Sequence, residues 1–252
     1  MQKIGRVAKV FRYPVSSLGG EALETIDLSR EGVAGDRRFG LLDPATGRPA
    51  APEQEPRWRP ALLLKVESAE GSALPNIRFP DGRIFPLDAT DLAEHLSAHF
   101  GFPVAIGVQE AFSADAPAHF STIAPRYDVA PVHLLTTASL ARLGDLGGLP
   151  DPDPRRFRPT VLIETNEDAQ GFVENHWIGS EIRIGTHRVS VTEATRRCGM
   201  TLIAQPGLQE DANVLRAIMR HNARHLGVYG RLVEETAPAV TISVGDAVYA
   251  IS

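Results

Sequence analysis

The one cysteine of the sequence, Cys198, is preceded by Arg196 and Arg197 and followed by Gly199. A thiolate attacks electrophiles and binds soft metals, and guanidinium groups beside a cysteine favour the thiolate over the thiol. Gly199 has no Cβ, so a ligand can approach the backbone closely there. Cys198 is therefore the best candidate for chemistry. The alternative is structural, because a lone cysteine commonly serves as a small buried apolar side chain.

The composition limits the classes of protein that this chain can be. With 252 residues, 43% hydrophobic and 23% charged, it is globular material for one large domain or two small ones. One cysteine excludes an internal disulfide, a cysteine-rich zinc site and an iron–sulfur cluster held by four thiolates of this chain. A formal net charge of −5 argues against general nucleic-acid binding, although clustered arginines can still hold a small anion.

Hydropathy predicts a protein without membrane insertion. No apolar run approaches the roughly 20 residues that span a bilayer. The first residues lack the apolar region of a secretory signal, so we expect a cytoplasmic location. The histidines are scattered through the chain without a metal-ligand pattern.

The elements that must position Cys198 are mostly short strands separated by turn residues. Residues 61–66 predict a buried strand, 76–85 a hairpin and 91–100 an amphipathic helix. The Ala-, Ser- and Pro-rich stretch 110–125 is typical of a linker or surface excursion. We therefore place a boundary there and predict two domains, 1–115 and 116–252.

The second predicted domain contains the cysteine. Residues 132–137 predict a strand with a threonine that could cap the following helix. Residues 182–192 predict a hairpin, which puts Cys198 in the loop that follows it. Residues 211–224 predict a helix whose apolar stripe faces the core.

Several separated segments together resemble the MOSC family, named for the C-terminal domain of molybdenum-cofactor sulfurases. Two segments look like signatures of the N-terminal MOSC β-barrel domain found in amidoxime-reducing members: Tyr13-Pro14-Val15-Ser16-Ser17 and Gly35-Asp36-Arg37-Arg38-Phe39. Four others look like the MOSC domain itself: His133 to Leu140, Arg156-Phe157-Arg158-Pro159, Arg197-Cys198 with Thr201, and Val244-Gly245-Asp246 with Val248. Each motif alone is weak, but their order and spacing are specific.

The resemblance implies a mostly β, α+β fold, in which an N-terminal β-barrel-like domain packs on a MOSC β-barrel with a few helices. It also implies a site for the molybdenum cofactor (molybdopterin), with Cys198 as metal ligand and catalytic residue. Guanidinium groups suit the phosphate and the pterin because they bind bidentately. The cofactor-binding residues implied by the resemblance are Ser17, Arg37, Thr136, Thr137, Arg156, Arg158, Thr160 and Arg197.

Two positions depart from the family pattern. Ser16 stands where the family commonly has lysine, so one cation facing the phosphate is missing. Thr160 stands where asparagine is common, which keeps a hydroxyl but loses the paired donor and acceptor of an amide. Both departures bear on how strongly the cofactor is held.

The resemblance thus predicts an enzyme, a molybdenum-dependent oxidoreductase that reduces N-hydroxylated or N-oxide-type small molecules with electrons from a separate protein. Two alternatives remain open at this stage. Cys198 could carry a persulfide, making the protein a sulfur or cofactor carrier without turnover of an organic substrate. The third possibility is a small-molecule binding module that has lost catalysis, for which Ser16 is the suggestive feature.

Overall fold

The chain folds mainly into β-strands, as expected from the sequence. The computed structural model describes residues 1–69, 71–124, 132–233 and 239–251. The strands, in chain order, are β1 (Gln2–Arg12), β2 (Glu21–Leu23), β3 (Thr25–Ser29), β4 (Gly32–Val33), β5 (Phe39–Asp43), β6 (Arg48–Pro49), β7 (Lys65–Glu67), β8 (Asn76–Arg78), β9 (Ile84–Pro86), β10 (Ala105–Gln109), β11 (Ser121–Ile123), β12 (Val132–Thr136), β13 (Val161–Thr165), β14 (Glu181–Ile184), β15 (His187–Arg196), β16 (His225–Leu232), β17 (Val240–Ser243) and β18 (Ala247–Ile251).

Helices are fewer and shorter. The α-helices are α1 (Leu92–Phe100), α2 (Thr137–Gly147) and α3 (Ala212–His221). Short 3-10 helices cover Pro56–Leu63, Glu110–Asp115, Pro154–Phe157, Val173–Trp177 and Gly199–Leu202. No helix in the described part of the chain is long and apolar enough to cross a membrane.

Seven strands close into a barrel in the order β13-β12-β16-β15-β14-β18-β1, and the pairing of β1 with β13 completes the ring. Side chains alternate along each strand, so every second residue points inward. The inward residues are largely β-branched or leucine, such as Leu134, Val189 and Val191, and they form one buried apolar core. The barrel is thus a filled core that holds its end loops in place.

The N-terminal half has its own core beside the barrel. Strands β5, β6, β10 and β11 form one sheet, and β7, β8 and β9 form another. Buried Trp58 and the inward face of α1, with Leu92 and Leu96, fill the space between them. The predicted hairpin at 76–85 and the predicted helix at 91–100 are both confirmed.

Two local predictions for this half are wrong. Residues 61–63 belong to the 3-10 helix Pro56–Leu63, which starts at a proline, and only residues 65 and 66 enter a strand, β7. The stretch 110–125, predicted as a linker or surface excursion, contains the 3-10 helix Glu110–Asp115 and strand β11, which pairs in parallel with β10, so the linker alternative is wrong. Position 125 itself lies outside the described residues. Backbone hydrogen bonding to a neighbouring strand outweighs the composition of this stretch.

The two halves share sheets. Strand β1 is part of the barrel, where it pairs with β18 and β13, and β3 pairs with β17 near the C-terminus. Residues close to both ends of the chain therefore cooperate in the same hydrogen-bonded ladders. The boundary at residue 115 stays a prediction.

Helices α2 and α3 pack against each other over a third apolar cluster, which includes Phe11, Leu143, Phe157 and Ile218. Thr136 caps α2, because its hydroxyl oxygen accepts a hydrogen bond from the Ser139 amide at 3.1 Å. The predicted threonine cap is thus confirmed. This cluster joins the start of the chain to the segment that precedes β13.

Barrel closure generates the first prediction. At Gly5, an added Cβ would overlap the carbonyl oxygen of Glu164 on the paired strand. We expect Gly5→Ala to lower the free energy of unfolding by about 3 kcal/mol, because the strands must separate to admit the methyl group. Urea denaturation measures the change.

The matched control is Gly47→Ala, in a turn where a Cβ meets nothing within 4 Å but φ is +68°. Gly47→Ala should lower the free energy of unfolding by only about 1 kcal/mol, because alanine is strained in the left-handed region. Equal losses for Gly5→Ala and Gly47→Ala would contradict the role of close strand approach in closing the barrel.

Candidate functional site

Cys198 lies where β15 ends and the 3-10 helix Gly199–Leu202 begins, which confirms its predicted place after the hairpin. Its thiol is free and half-buried, and it packs against the small apolar cluster of Leu62, Met200 and Ile203. The hydroxyl of buried Thr201 donates to the Cys198 carbonyl at 3.0 Å, which holds the turn. The thiol is therefore positioned by both halves of the chain without being sealed in.

The two arginines that precede the thiol have different environments: Arg196 is the last residue of β15, and Arg197 follows the strand. Arg196 is exposed, whereas Arg197 is buried. Arg197 donates through Nη2 to the Phe157 carbonyl at 2.7 Å, and within the described residues its buried Nε has no hydrogen-bond partner. Burial lowers the pKa of Arg197, while Tyr229 and Cys198 nearby oppose this shift. Only one of the two guanidinium groups, that of Arg197, therefore acts on the thiol from inside the protein.

Two further arginines meet at the ring of buried Tyr13. The guanidinium carbon of Arg158 lies 4.1 Å from the ring centroid, and that of Arg37 lies 5.4 Å away. Arg158 also donates through Nη1 to the Leu18 carbonyl at 2.5 Å. Burial, together with the positive charges of Arg37 and Arg197, lowers the pKa of Arg158 to about 10. We refer to Arg37, Arg158 and Arg197 as the arginine cluster.

One carboxylate organises the cluster. Asp36 accepts a hydrogen bond from the Tyr13 amide at 2.6 Å through one oxygen and pairs with the Arg37 guanidinium through the other. Arg158 and Arg197 form no ion pair with a carboxylate in the described part of the chain. The cluster therefore carries more positive than negative charge, and an anion placed there would relieve the repulsion between the guanidinium groups.

The backbone is strained at several of these positions. Ser17, Arg37 and Arg158 have φ angles of 69°, 50° and 52°, in the left-handed region that non-glycine residues seldom adopt. These three make up half of the non-glycine residues with positive φ in the described ranges. Such strain persists only where surrounding contacts enforce it, and it concentrates at functional sites.

His133 supports one of the strained turns. Its Nδ1 lies 3.2 Å from the Arg158 carbonyl, and this hydrogen bond requires the proton on Nδ1. Burial lowers the pKa of His133 to about 3, and the positive charge of Arg197 acts in the same direction. The imidazole is therefore neutral at ordinary pH and serves to hold the Arg158 backbone.

Two further predicted cofactor residues are Ser17, which adjoins the cluster through Leu18, and Arg156, whose side chain reaches residue 209 instead. Ser17 precedes Leu18, which binds Arg158, and its hydroxyl donates to the Ala50 carbonyl at 3.1 Å. Arg156 is buried and donates to the Gln209 carbonyl at 2.6 Å, and its other terminal nitrogen, Nη1, has no partner in the described ranges. Burial lowers the pKa of Arg156.

The three predicted threonines are engaged within the fold. Thr136 donates to buried Glu174 at 2.7 Å in addition to capping α2. The Thr137 hydroxyl lies 3.2 Å from that of Thr165 on β13, and the Thr160 hydroxyl accepts from the His133 amide at 3.1 Å. These hydrogen bonds within the fold explain the threonine at each position even if no ligand binds there. The cofactor roles of the three threonines stay predictions.

Four residues of the site received no role in the sequence analysis. Tyr13 and Asp36 stood within recognised motifs, but nothing in the sequence shows that their side chains meet. His133 also stood within a recognised motif but received no role of its own, and Glu174 carried no signal, because a buried titratable residue is recognisable only from its surroundings. Burial raises the pKa of Glu174, which accepts hydrogen bonds from Thr136 and Ser139.

Two surface hollows lie away from the thiol. One, of about 640 Å³, borders α2, and the other, of about 590 Å³, lies beside the β1 and β13 ends. Neither is lined by Cys198 or by a member of the arginine cluster. The chemistry of the side chains, more than the size of a cavity, therefore locates the site.

The buried histidine generates the second prediction. The pKa of His133 is about 3 in the folded protein and 6.5 ordinarily, so the unfolded chain takes up a proton first as pH falls. This contribution to stability is complete above pH 6.5 and declines below it. Between pH 7 and pH 5, the loss amounts to about 2 kcal/mol.

Urea denaturation of the native protein and of His133→Asn at both pH values measures this term. The native protein should lose about 2 kcal/mol more than His133→Asn over that interval. The exposed histidine variant His176→Asn should follow the native protein. Parallel pH dependence for the native protein and His133→Asn would show that His133 is not held neutral.

Comparison with known proteins shows which family models the chain matches. The family model of the MOSC domain matches residues 115–249, and that of the MOSC N-terminal beta barrel domain matches residues 4–82. A comparison with curated protein sequences gives no match.

Solved structures are similar to this chain at low sequence identity. The YUAD protein from Bacillus subtilis is 10% identical, with 97% of this chain and 93% of that chain covered at a TM-score of 0.50. YiiM from Geobacillus stearothermophilus is 13% identical, with 49% and 55% covered at a TM-score of 0.35. From the family match, which extends over the arginines and the thiol, we conclude that the chain belongs to the MOSC domain family, which is associated with molybdenum-cofactor binding.

Proposed function

We propose that this protein is a molybdenum-cofactor-dependent oxidoreductase that reduces N-hydroxylated or N-oxide-type small molecules, with electrons from a separate protein. The observation that carries the proposal is the arginine cluster: the guanidinium groups of Arg37 and Arg158 lie against the Tyr13 ring, and the charge of buried Arg197, the residue directly before Cys198, acts on both Tyr13 and Arg158. Membership of the MOSC family supports the choice of cofactor.

The residues present fit an anionic cofactor. The cluster has an excess of positive charge over the single carboxylate of Asp36, and the Nε of Arg197 is buried with no acceptor among the described residues. Buried guanidinium groups of this kind bind phosphate or polar ring edges, because several N–H donors point the same way. Arg37, Arg158 and Arg197 would hold the phosphate and pterin, while the Cys198 thiolate would be the protein ligand of the metal.

The structure also supports a single protein ligand. The described residues contain no group of three or more His, Cys, Asp or Glu side chains that could hold a metal ion by themselves. A metal that arrives with its own sulfur ligands needs only one thiolate from the protein. Cys198 is half-buried, so a substrate can reach the thiol from outside.

Reduction of an N-hydroxyl group to an amine consumes two electrons and two protons and releases water. When bound, the cofactor supplies the redox chemistry that this reaction requires. The chain supplies position and charge. Tyr13 keeps its proton, because burial raises its pKa and its hydroxyl donates to the Pro159 carbonyl at 3.1 Å. Nδ1 of His133 likewise keeps the proton that it shares with the Arg158 carbonyl.

The third prediction concerns Cys198. Protein purified from a host that makes the cofactor should contain near-stoichiometric molybdenum and should reduce benzamidoxime with a chemical reductant. Cys198→Ala should lose at least about 100-fold in activity, because the metal loses its protein ligand. Thermal unfolding should change little, since the thiol packs only at the edge of a small apolar cluster.

Arg196→Ala is the matched control, because Arg196 adjoins the site in sequence but is exposed. It should keep the activity of the native protein. Metal-free native protein with a persulfide on Cys198 would instead establish the sulfur-carrier alternative. If the native protein contains neither molybdenum nor a persulfide, the small-molecule binding module is the remaining alternative.

The fourth prediction separates charge from shape at Arg158. Arg158→Lys keeps a positive charge at the same left-handed position, but lysine cannot stack flat on Tyr13 or bind bidentately. We expect about tenfold less molybdenum per chain by elemental analysis. Arg48→Lys, at an exposed position of the short strand β6, should retain full molybdenum content. Full molybdenum content in Arg158→Lys would contradict a role for Arg158 in binding the cofactor.

A further inference from the structure

One exposed surface concentrates positive charge on a chain whose formal net charge is −5. Arg216 and Arg220 lie one turn apart on the exposed face of α3, with Met219 beside them. Met219 is 54% exposed, which is unusual for a large apolar side chain. Arg196, also exposed, ends β15 opposite His225, which follows α3 after a short turn. We name Arg196, Arg216, Met219 and Arg220 the basic surface.

These arginines differ from most other exposed arginines of the protein. Ion pairs to a nearby carboxylate are made by Arg6, Arg57, Arg78, Arg83, Arg155 and Arg188, among others. Within the described ranges, no carboxylate forms an ion pair with Arg196, Arg216 or Arg220. Arg216 makes only a hydrogen bond to Asn213 at 3.2 Å.

The helix dipole explains one of these three arginines but not the other two. Basic residues in the last turn of a helix interact favourably with its dipole, which accounts for Arg220. It does not account for Arg216, which lies earlier in α3, or for Arg196, which lies on a strand. Two acidic residues that precede α3 are occupied elsewhere: Asp211 caps the other end of α3, and Glu210 pairs with Arg59.

The basic surface is connected directly to the thiol. In the turn after α3, the Arg224 carbonyl accepts from the Arg197 amide at 2.9 Å, and Arg224 Nε donates to the Arg197 carbonyl at 2.8 Å. Arg197 is the residue before Cys198. Helix α3 also packs against the 3-10 helix that starts at Gly199. Short covalent and hydrogen-bonded links therefore run from this surface to the sulfur.

We propose that the basic surface is the docking site for a small acidic electron-transfer protein. This inference rests on the proposed function, because it names the place and the charge of the electron donor. Electron-transfer complexes are small and transient, and they rely on complementary charge to orient the partner. An acidic donor is repelled by the negative remainder of this protein and attracted to the basic surface, so it docks close to Cys198.

The fifth prediction uses an acidic flavodoxin as the probe and a basic cytochrome c as its counterpart. Calorimetric titration of the metal-free protein at low ionic strength should show binding of flavodoxin but not of cytochrome c. Arg216→Glu with Arg220→Glu should weaken binding about tenfold or more, and added salt should weaken binding to the native protein.

The control is Arg48→Glu with Arg231→Glu, which changes net charge by the same amount at exposed positions outside the basic surface. It should change the affinity for flavodoxin far less. No binding of flavodoxin, equal weakening by the two double variants, or preferential binding of cytochrome c would overturn the proposal.

Turnover measurements distinguish a failure of the docking site from a failure of the proposed function. In cofactor-loaded protein, the α3 double variant should lose flavodoxin-driven reduction of benzamidoxime and keep reduction driven by methyl viologen, which needs no docking site. Absence of viologen-driven turnover in the native protein would refute the proposed function alone, since the binding titration still decides the docking site. Full flavodoxin-driven turnover in the variant would refute the docking site alone.

Discussion

Burial of more positive than negative charge around one tyrosine is the constraint on which the site depends. Arg37, Arg158 and Arg197 share this region with Asp36 as their one organising carboxylate. Guanidinium groups withdrawn from water need acceptors, and the structure supplies backbone carbonyls for two of them, those of Leu18 and Phe157. Carbonyl oxygens satisfy the hydrogen bonds but do not neutralise the charge. The anionic cofactor that we propose would complete the arrangement.

This arrangement requires a strained backbone at two of the arginines. Arg37 and Arg158 hold left-handed backbone conformations, and each is secured by contacts from another segment. The Arg37 amide donates to the Tyr13 carbonyl at 2.8 Å, and its carbonyl accepts from the Gln109 side chain at 2.6 Å. Neutral His133 secures the carbonyl of Arg158. Because β1 joins the barrel by pairing with β13, Tyr13 is carried to the segment that contains Arg158.

Cys198 connects two surfaces of different character. On one side, the apolar cluster with Leu62 ties the thiol to the N-terminal half. On the other, the hydrogen bonds between Arg197 and Arg224 tie it to the turn after α3 and the basic surface. A redox site needs substrate access and electron access at once. In the function that we propose, the half-buried thiol would serve the first, and the adjoining basic surface would serve the second.

Local patterns in the sequence determined the mostly β class, the 76–85 hairpin, the caps and extents of the clearest helices, and the place of Cys198 after a hairpin. Such features depend on neighbours in the chain. Only the tertiary structure decided that residues 61–63 are helical, that Arg196 is exposed while Arg197 is buried, and that the three threonines bond to groups within the fold. Pairing of distant strands and burial of charge depend on contacts between remote segments, and no short stretch of sequence records those contacts.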